Sequence, residues 1–155
     1  MAYVFDGVLP DYNFLFNTEN NNDTDCINWG MDFKTGRPLV LGGKPVVVTE
    51  DEAVKVWCWF ALKTLRNGFL AFDGEYGSDI ENIVVNNNKT SEMEKKLKAD
   101  VRRCLLNCKY ILSVDDVQIT YESGSSTLKI DAWITTVYSP VTAFKIETEE
   151  LTIYM

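Results

Sequence analysis

Histidine does not occur in the 155 residues. Its absence removes Ser-His and Cys-His activation of a nucleophile, and every zinc site that uses imidazole. Cysteine is sparse, with four residues at Cys26, Cys58, Cys104 and Cys108. An all-cysteine zinc site needs paired CxxC-type knuckles, and this spacing provides none. No metal and no cofactor is expected. Cys58 falls on the apolar stripe of one predicted helix, and Cys104 and Cys108 on that of another, where thiols act as small hydrophobes. Reduced, buried thiols are expected rather than disulfides, in keeping with a cytosolic chain.

Positive charge is also short. Fifteen basic residues face twenty-three acids, for a net charge of −8. Holding nucleic acid by its backbone needs clustered Lys and Arg. The densest basic run, KKLKADVRR at 95–103, lies on a predicted helix and reads as a solvated face, so nucleic acid is not an expected partner. Long apolar runs are missing as well. The stretch Val56–Leu62 already contains two tryptophans, far from the ~20 apolar residues that span a bilayer. The start, MAYVFDGVLPDYN, lacks a basic-then-apolar signal pattern. No membrane partner is expected, and the chain should be made and assembled in the cytoplasm. Hydrophobic and charged fractions of 46% and 25% are those of a globular chain, long enough for one domain with its own core.

Three helix starts are written in one pattern. In T49-E-D-E52, S78-D-I-E81 and S91-E-M-E94 a hydroxyl residue precedes Glu by three positions, the spacing of a capping box. The first predicts a helix over 50–66 with Val54, Trp57, Cys58, Ala61, Leu62 and Leu65 on one face. The second predicts a short helix over 78–84, and the third a helix over 92–108 burying Met93, Leu97, Val101, Cys104, Leu105 and Cys108. After Tyr110 the period becomes two. Val114, Val117, Ile119 and Tyr121, then Leu128, Ile130, Ala132 and Ile134, predict an antiparallel hairpin around residues 123–126. A further strand pair is expected over 142–147 and 150–154. In the N-terminal third, Tyr12, Phe14 and Phe16 alternate like a strand with no local partner. FNTENNNDTD at 16–25 reads as a polar loop, and RPLVL-GG-KPVVV as a hairpin whose prolines confine it to a sheet edge. The expected fold is α+β. Two main helices and one short helix pack on a mostly antiparallel sheet in a core spanning 49–155, and an extended arm with an edge hairpin occupies 1–48.

Four carboxylates crowd the stretch RNGFLAFDGEYGSDIENI at 66–83. A glycosidase would need two of them astride a sugar bond, one in an apolar pocket that raises its pKa. Glu81 is accounted for as the third residue of a capping box, Asp79 by its place in a helix's first turn, and Asp73-Gly74 as a turn. That leaves Glu75 and no pair. Gly42-Gly43-Lys44 lacks the upstream glycine and the Ser or Thr of a phosphate loop, and NNNDTD lacks the spacing of a calcium loop. No catalytic residue is assigned. The unpartnered aromatic arm (Tyr12, Phe14, Phe16) and the C-terminal strand (Leu151, Ile153, Tyr154) are instead candidates for strand exchange with other proteins, since edge strands add to other sheets.

The run from C26-INWGMDFKTGRPLVLGGKPVVV to L65-RNGFLAFDGEYGSDIENI-V84 resembles the baseplate wedge, or sheath-initiator, family of contractile phage tails and tail-like bacteriocins. It is most similar to the branch in prophages of Gram-positive bacteria. The resemblance rests on Asp32, Phe33, Thr35, Gly36 and Pro38; on Trp57, Trp59 and Arg66; and on Tyr76, Gly77, Ser78 and Asp79, in that order. It covers residues 26–137. It implies a structural, non-enzymatic α+β protein, in several copies in a six-fold baseplate, that joins the inner baseplate to the first sheath ring and nucleates sheath assembly. The implied partners are the sheath protein, other baseplate wedge proteins and the tube-proximal ring, within a virion or tail-like particle. Arg66, Tyr76 and Gly77 match the family's central motif and become contact candidates, with a turn-shaping role as the plainer alternative. Where many relatives have Glu-Pro-Arg, this chain has Cys108-Lys109-Tyr110-Ile111. The family's old lysozyme-like label keeps a peptidoglycan hydrolase as an alternative, and a tail adaptor at another position is a third.

Overall fold

The computed structural model describes residues 26–72, 74–86, 91–121, 127–139 and 144–152. The first part is a set of short antiparallel ladders that meet at one corner. Strand β1 (Ile27–Trp29) pairs with β6 (Val47–Thr49), β2 (Met31–Asp32) with β3 (Arg37–Pro38), and β4 (Val40–Leu41) with β5 (Lys44–Pro45). Three residues between the ladders close the corner. The Gly30 N–H donates to the Val46 carbonyl (2.8 Å), the Leu39 N–H to the Gly30 carbonyl (2.8 Å) and the Val46 N–H to the Leu39 carbonyl (2.9 Å). A Cβ on Gly30 would lie 3.2 Å from both Leu39 and Val48 side chains, so the corner closes tightly around glycine. The turn at Gly42-Gly43 has φ of +58° and +78°, the conformation a two-residue hairpin needs.

Helix α1 (Glu50–Lys63) follows at once. Thr49 is extended at its start, but its side chain makes no cap bond, and Glu52 pairs with Lys55 (2.7 Å) instead of reaching back. The expected capping box is not formed. The chain enters the helix through Glu50 at φ +53°, and Asp51 anchors the first turn. Its carboxylate accepts the hydroxyls of Thr136 and Ser139, charge-assisted bonds that tie the helix to the end of the sheet. The helix also stops three residues before Arg66. Thr64 turns extended, both its N–H (3.0 Å) and its hydroxyl (2.7 Å) donate to the Phe60 carbonyl, and Leu65 enters a parallel bridge with Ser78.

Helices α2 (Ile80–Asn86) and α3 (Ser91–Leu106) complete the helical layer. The second predicted box fails too, because the buried Ser78 hydroxyl donates to the Leu62 carbonyl (2.7 Å) and α2 begins two residues later. Helices α1 and α3 pack on each other and on the sheet β7 (Ile111–Tyr121), β8 (Thr127–Thr136) and β9 (Phe144–Thr152), ordered β7-β8-β9 and antiparallel throughout. The α+β class expected from sequence is the fold observed. The core joins Ala53, Val54, Cys58, Ala61 and Leu62 of α1, Leu97, Val101, Cys104 and Leu105 of α3, and Val117, Ile130, Ala132 and Ile134 of the sheet. The β7-β8 hairpin is as expected. The further C-terminal pair is instead the single strand β9. One extra residue of β9 between the Leu128↔Leu151 and Ile130↔Thr148 pairs is absorbed as a bulge, so the acidic run continues the strand rather than turning it.

Candidate functional site

The central motif closes a knot where α1, α2 and α3 meet. Past the end of α1, the Ser78 N–H donates to the Thr64 carbonyl (2.8 Å) and the Arg66 N–H to the Ser78 carbonyl (3.0 Å). This two-bond bridge brings the returning chain against the helix end. Gly77 makes the approach possible. Its φ is +98°, and a Cβ there would lie 2.7 Å from the Thr64 carbonyl oxygen and 3.0 Å from the Arg66 nitrogen. Its neighbour Asp79 pairs with the Arg66 guanidinium (2.7 Å), and the Asp79 N–H donates to Asp100 Oδ2 (2.7 Å) across on α3.

Arg103, one turn along α3, gathers the rest. It donates to Asp100 Oδ1 from Nε (3.2 Å) and Nη2 (2.9 Å), to the Gly77 carbonyl (2.9 Å) and to the Glu75 carbonyl (3.0 Å). Asp100 holds the Arg103 pKa above its usual value, although burial works the other way. Asp100 and Arg103 escaped the sequence reading because they sit in a run taken for a solvated face. Asp100 is in fact buried. The available signal was its place between Leu97 and Val101 on the apolar stripe, three residues before an arginine.

The structure therefore brings Arg66, Tyr76 and Gly77 together and gives each a local duty. Arg66 lies beyond the helix and answers Asp79. The Tyr76 ring meets Trp57 edge-on (5.7 Å) and lies over Phe72 (4.6 Å), which meets Phe69 (6.2 Å). This aromatic file supports a loop whose apex, Phe69, Leu70 and Phe72, is exposed. On the other side of α1, Trp59 contacts Phe33 (6.1 Å), carries Lys63 over its ring (4.3 Å) and abuts Gly36. The D-F-x-T-G-x-P motif is a turn seated on that tryptophan. Asp32 accepts the Lys34 N–H (3.0 Å) and the Thr35 hydroxyl (2.9 Å), which hold its carboxyl below the usual range, the Thr35 bond contributing most. The other candidates are separate. Leu151 lies on β9 opposite Leu128, while Tyr12, Phe14, Phe16, Ile153 and Tyr154 lie outside the described residues.

All four cysteines are free and buried. Burial pushes the thiol of Cys26 up to about 11 and that of Cys104 up to about 12, and raises Cys58 and Cys108 as well. A buried thiol that resists ionisation is a packing group rather than a nucleophile. Among the described residues no cluster of His, Cys, Asp or Glu could hold a metal ion, and no helix is long and apolar enough to cross a membrane.

Comparison with curated proteins gives no match to this chain. The family model for the contractile injection system sheath initiator matches residues 27–139. The match runs from β1 through the hairpin corner, the Trp59-seated turn, the Gly77 knot and the β7-β8 hairpin to Ser139, and so the chain belongs to the sheath initiators of contractile injection systems, a structural family.

Proposed function

We propose that this sheath initiator joins the inner baseplate to the first sheath ring and nucleates sheath assembly by sharing strands, acting through binding and not through catalysis. The observation that carries the reading is the place of β9. It pairs with β8 along one side, and among the described residues no strand covers the other. An edge strand offers a row of backbone N–H and C=O groups to an incoming strand, while acids such as Glu147, Glu149 and Glu150 discourage indiscriminate pairing. Leu151, Ile153 and Tyr154 would lie at that junction, and Tyr12, Phe14 and Phe16 would supply the reciprocal strand. Arg66, Tyr76 and Gly77 contribute to docking through the loop they hold. The partners are the sheath protein, neighbouring baseplate wedge proteins and the tube-proximal ring. The copies sit in a six-fold baseplate assembled in the bacterial cytoplasm.

The test is a producing strain whose chain lacks residues 1–16. The protein should stay folded and enter particles, and tubes should appear without sheath. Sheathed particles in normal number would refute strand sharing by the arm. A peptidoglycan zymogram separates the hydrolase reading, since lytic activity abolished by Glu75→Gln would overturn the non-enzymatic one.

A further inference from the structure

The sheet has a second outer strand, β7, opposite β9. Its pairing with β8 fixes which residues turn their backbone groups outward. In an antiparallel pair every second residue points its N–H and C=O away from the neighbour. The Val137 N–H donates to the Tyr110 carbonyl (3.0 Å), the bond that flanks the Ile111↔Thr136 pair, so the groups of Ile111 itself face away from β8. Val114, Val117, Ile119 and Tyr121 lie opposite Ile134, Ala132, Ile130 and Leu128, every second residue of β8 counted from Thr136, and face outward too. The two bulges of β7, between Ile111 and Ser113 and between Val114 and Asp116, preserve this phase.

The first three of these outward residues each have a backbone group taken from within the chain. The Ile111 N–H donates to the Cys108 carbonyl (3.1 Å), the Val114 carbonyl accepts Arg102 Nη1 from α3 (3.3 Å), and the Val117 N–H donates to the Asp116 carboxylate (2.8 Å). The Gln118 amide donates to the other Asp116 oxygen (3.2 Å) and steadies it. Beside it, Asp115 accepts the hydroxyls of Ser113 (2.9 Å) and Thr135 (2.7 Å). An added strand would run about 4.8 Å from β7, on the side where Arg102 and Asp116 make their bonds. It would have to displace two charge-assisted hydrogen bonds with neutral ones, and to bring its carbonyls up to an acid. Beyond Val117 only Ile119 and Tyr121 face outward, a short run for a lasting strand pair.

We propose that β7 is a closed edge, sealed by Arg102 and Asp116, so that strands add to this sheet from the β9 side alone. Bulges and charged side chains are general means of keeping an edge strand from pairing, and β7 has both. The consequence rests on the reading of strand sharing at β9 and gives it a direction. A chain open on both sides could be built into a continuing sheet or pair with a second copy of itself through β7. With β7 closed, each chain passes strand sharing one way only.

The experiment compares purified full chains by sedimentation velocity and by amide hydrogen exchange over a concentration series. Asp116→Thr removes the carboxylate and keeps a strand-forming residue, and at low concentration it should speed exchange of the Val117 amide by at least about tenfold. The double variant Arg102→Ser, Asp116→Thr changes two exposed positions and should keep the wild-type circular dichroism. It should self-associate at least about tenfold more tightly than wild type, with protection of the outward β7 amides rising with concentration. In wild type those amides should show no such rise. Concentration-dependent protection of β7 in wild type would overturn the proposal. A Val117 amide indifferent to Asp116→Thr would do so as well, as would a double variant that associates no better than wild type. The single variant is read in the monomer, so the proposal can be refuted even if the double variant is unstable. Every outcome is read at β7 of the purified chain, whereas failure of strand sharing is read in particles, so the two are distinguished.

Discussion

Replacing Gly77 with alanine should break the central motif without touching a charge. The backbone at φ +98° costs an L-residue about 1–2 kcal/mol. The new Cβ would lie 2.7 Å from the Thr64 carbonyl oxygen and 3.0–3.1 Å from Arg66 backbone atoms, where no flexible side chain can yield. Relief requires the bridge to open, which loses the Ser78 to Thr64 and Arg66 to Ser78 hydrogen bonds at about 1 kcal/mol each. The sum is about 3–4 kcal/mol, a large part of the ~5–15 kcal/mol that holds an ordinary domain together. For a chain of this size it amounts to a fall in Tm of about 10 °C. Urea denaturation of Gly77→Ala would measure it. Gly43→Ala is the control, since that residue also has positive φ (+78°) but nothing within 4 Å of a new Cβ, and it should lose only the conformational part, about 1–2 kcal/mol. If Gly77→Ala and Gly43→Ala cost the same, close approach plays no part and the reasoning fails.

Two further outcomes are expected. Arg103→Met strips the buried Asp100 of its guanidinium and frees the Glu75 and Gly77 carbonyls, and should cost about 3 kcal/mol in urea melts. Adding Asp100→Asn should recover part of that loss, and a purely additive double variant would disprove the coupling. The buried thiols predict a loss of stability at alkaline pH. Their folded pKa values lie above the usual 9.0, so above pH 9 the unfolded chain releases protons that the native chain keeps, and the equilibrium moves toward unfolding. Cys26 and Cys104 together should remove about 3 kcal/mol by pH 10. Equal denaturation midpoints at pH 8 and pH 10 would contradict this.

What could be read in advance was periodicity, and what could not was competition among partners. The stripes of α1 and α3 and the alternation of β7 and β8 were legible because burial imposes them directly. The first two capping boxes misled because local spacing does not reveal what else a side chain can reach. Asp51 finds two hydroxyls at the end of β8, and Ser78 finds the Leu62 carbonyl, partners 85 and 16 residues distant in sequence. Asp100 was hidden for the converse reason, as a buried carboxylate inside a run that looks solvated. The expected strand pair broke between 147 and 150, yet a bulge lets the chain run through as one strand. The family motifs were legible as letters, and their physics appears once Gly36 is seen against Trp59 and Gly77 against the Thr64 carbonyl.

The Asp51 link bears on how load would travel through the molecule. Should a neighbour's strand join β9, a tug along it would stress the β8 ladder in shear, sharing force across many rungs rather than unpeeling them singly. Beyond the last rung, Thr136 and Ser139 hand the strain to the first turn of α1 through a single carboxylate. Together with the core that α1 shares with the sheet, that carboxylate is a route by which a pull on β9 would reach the helix.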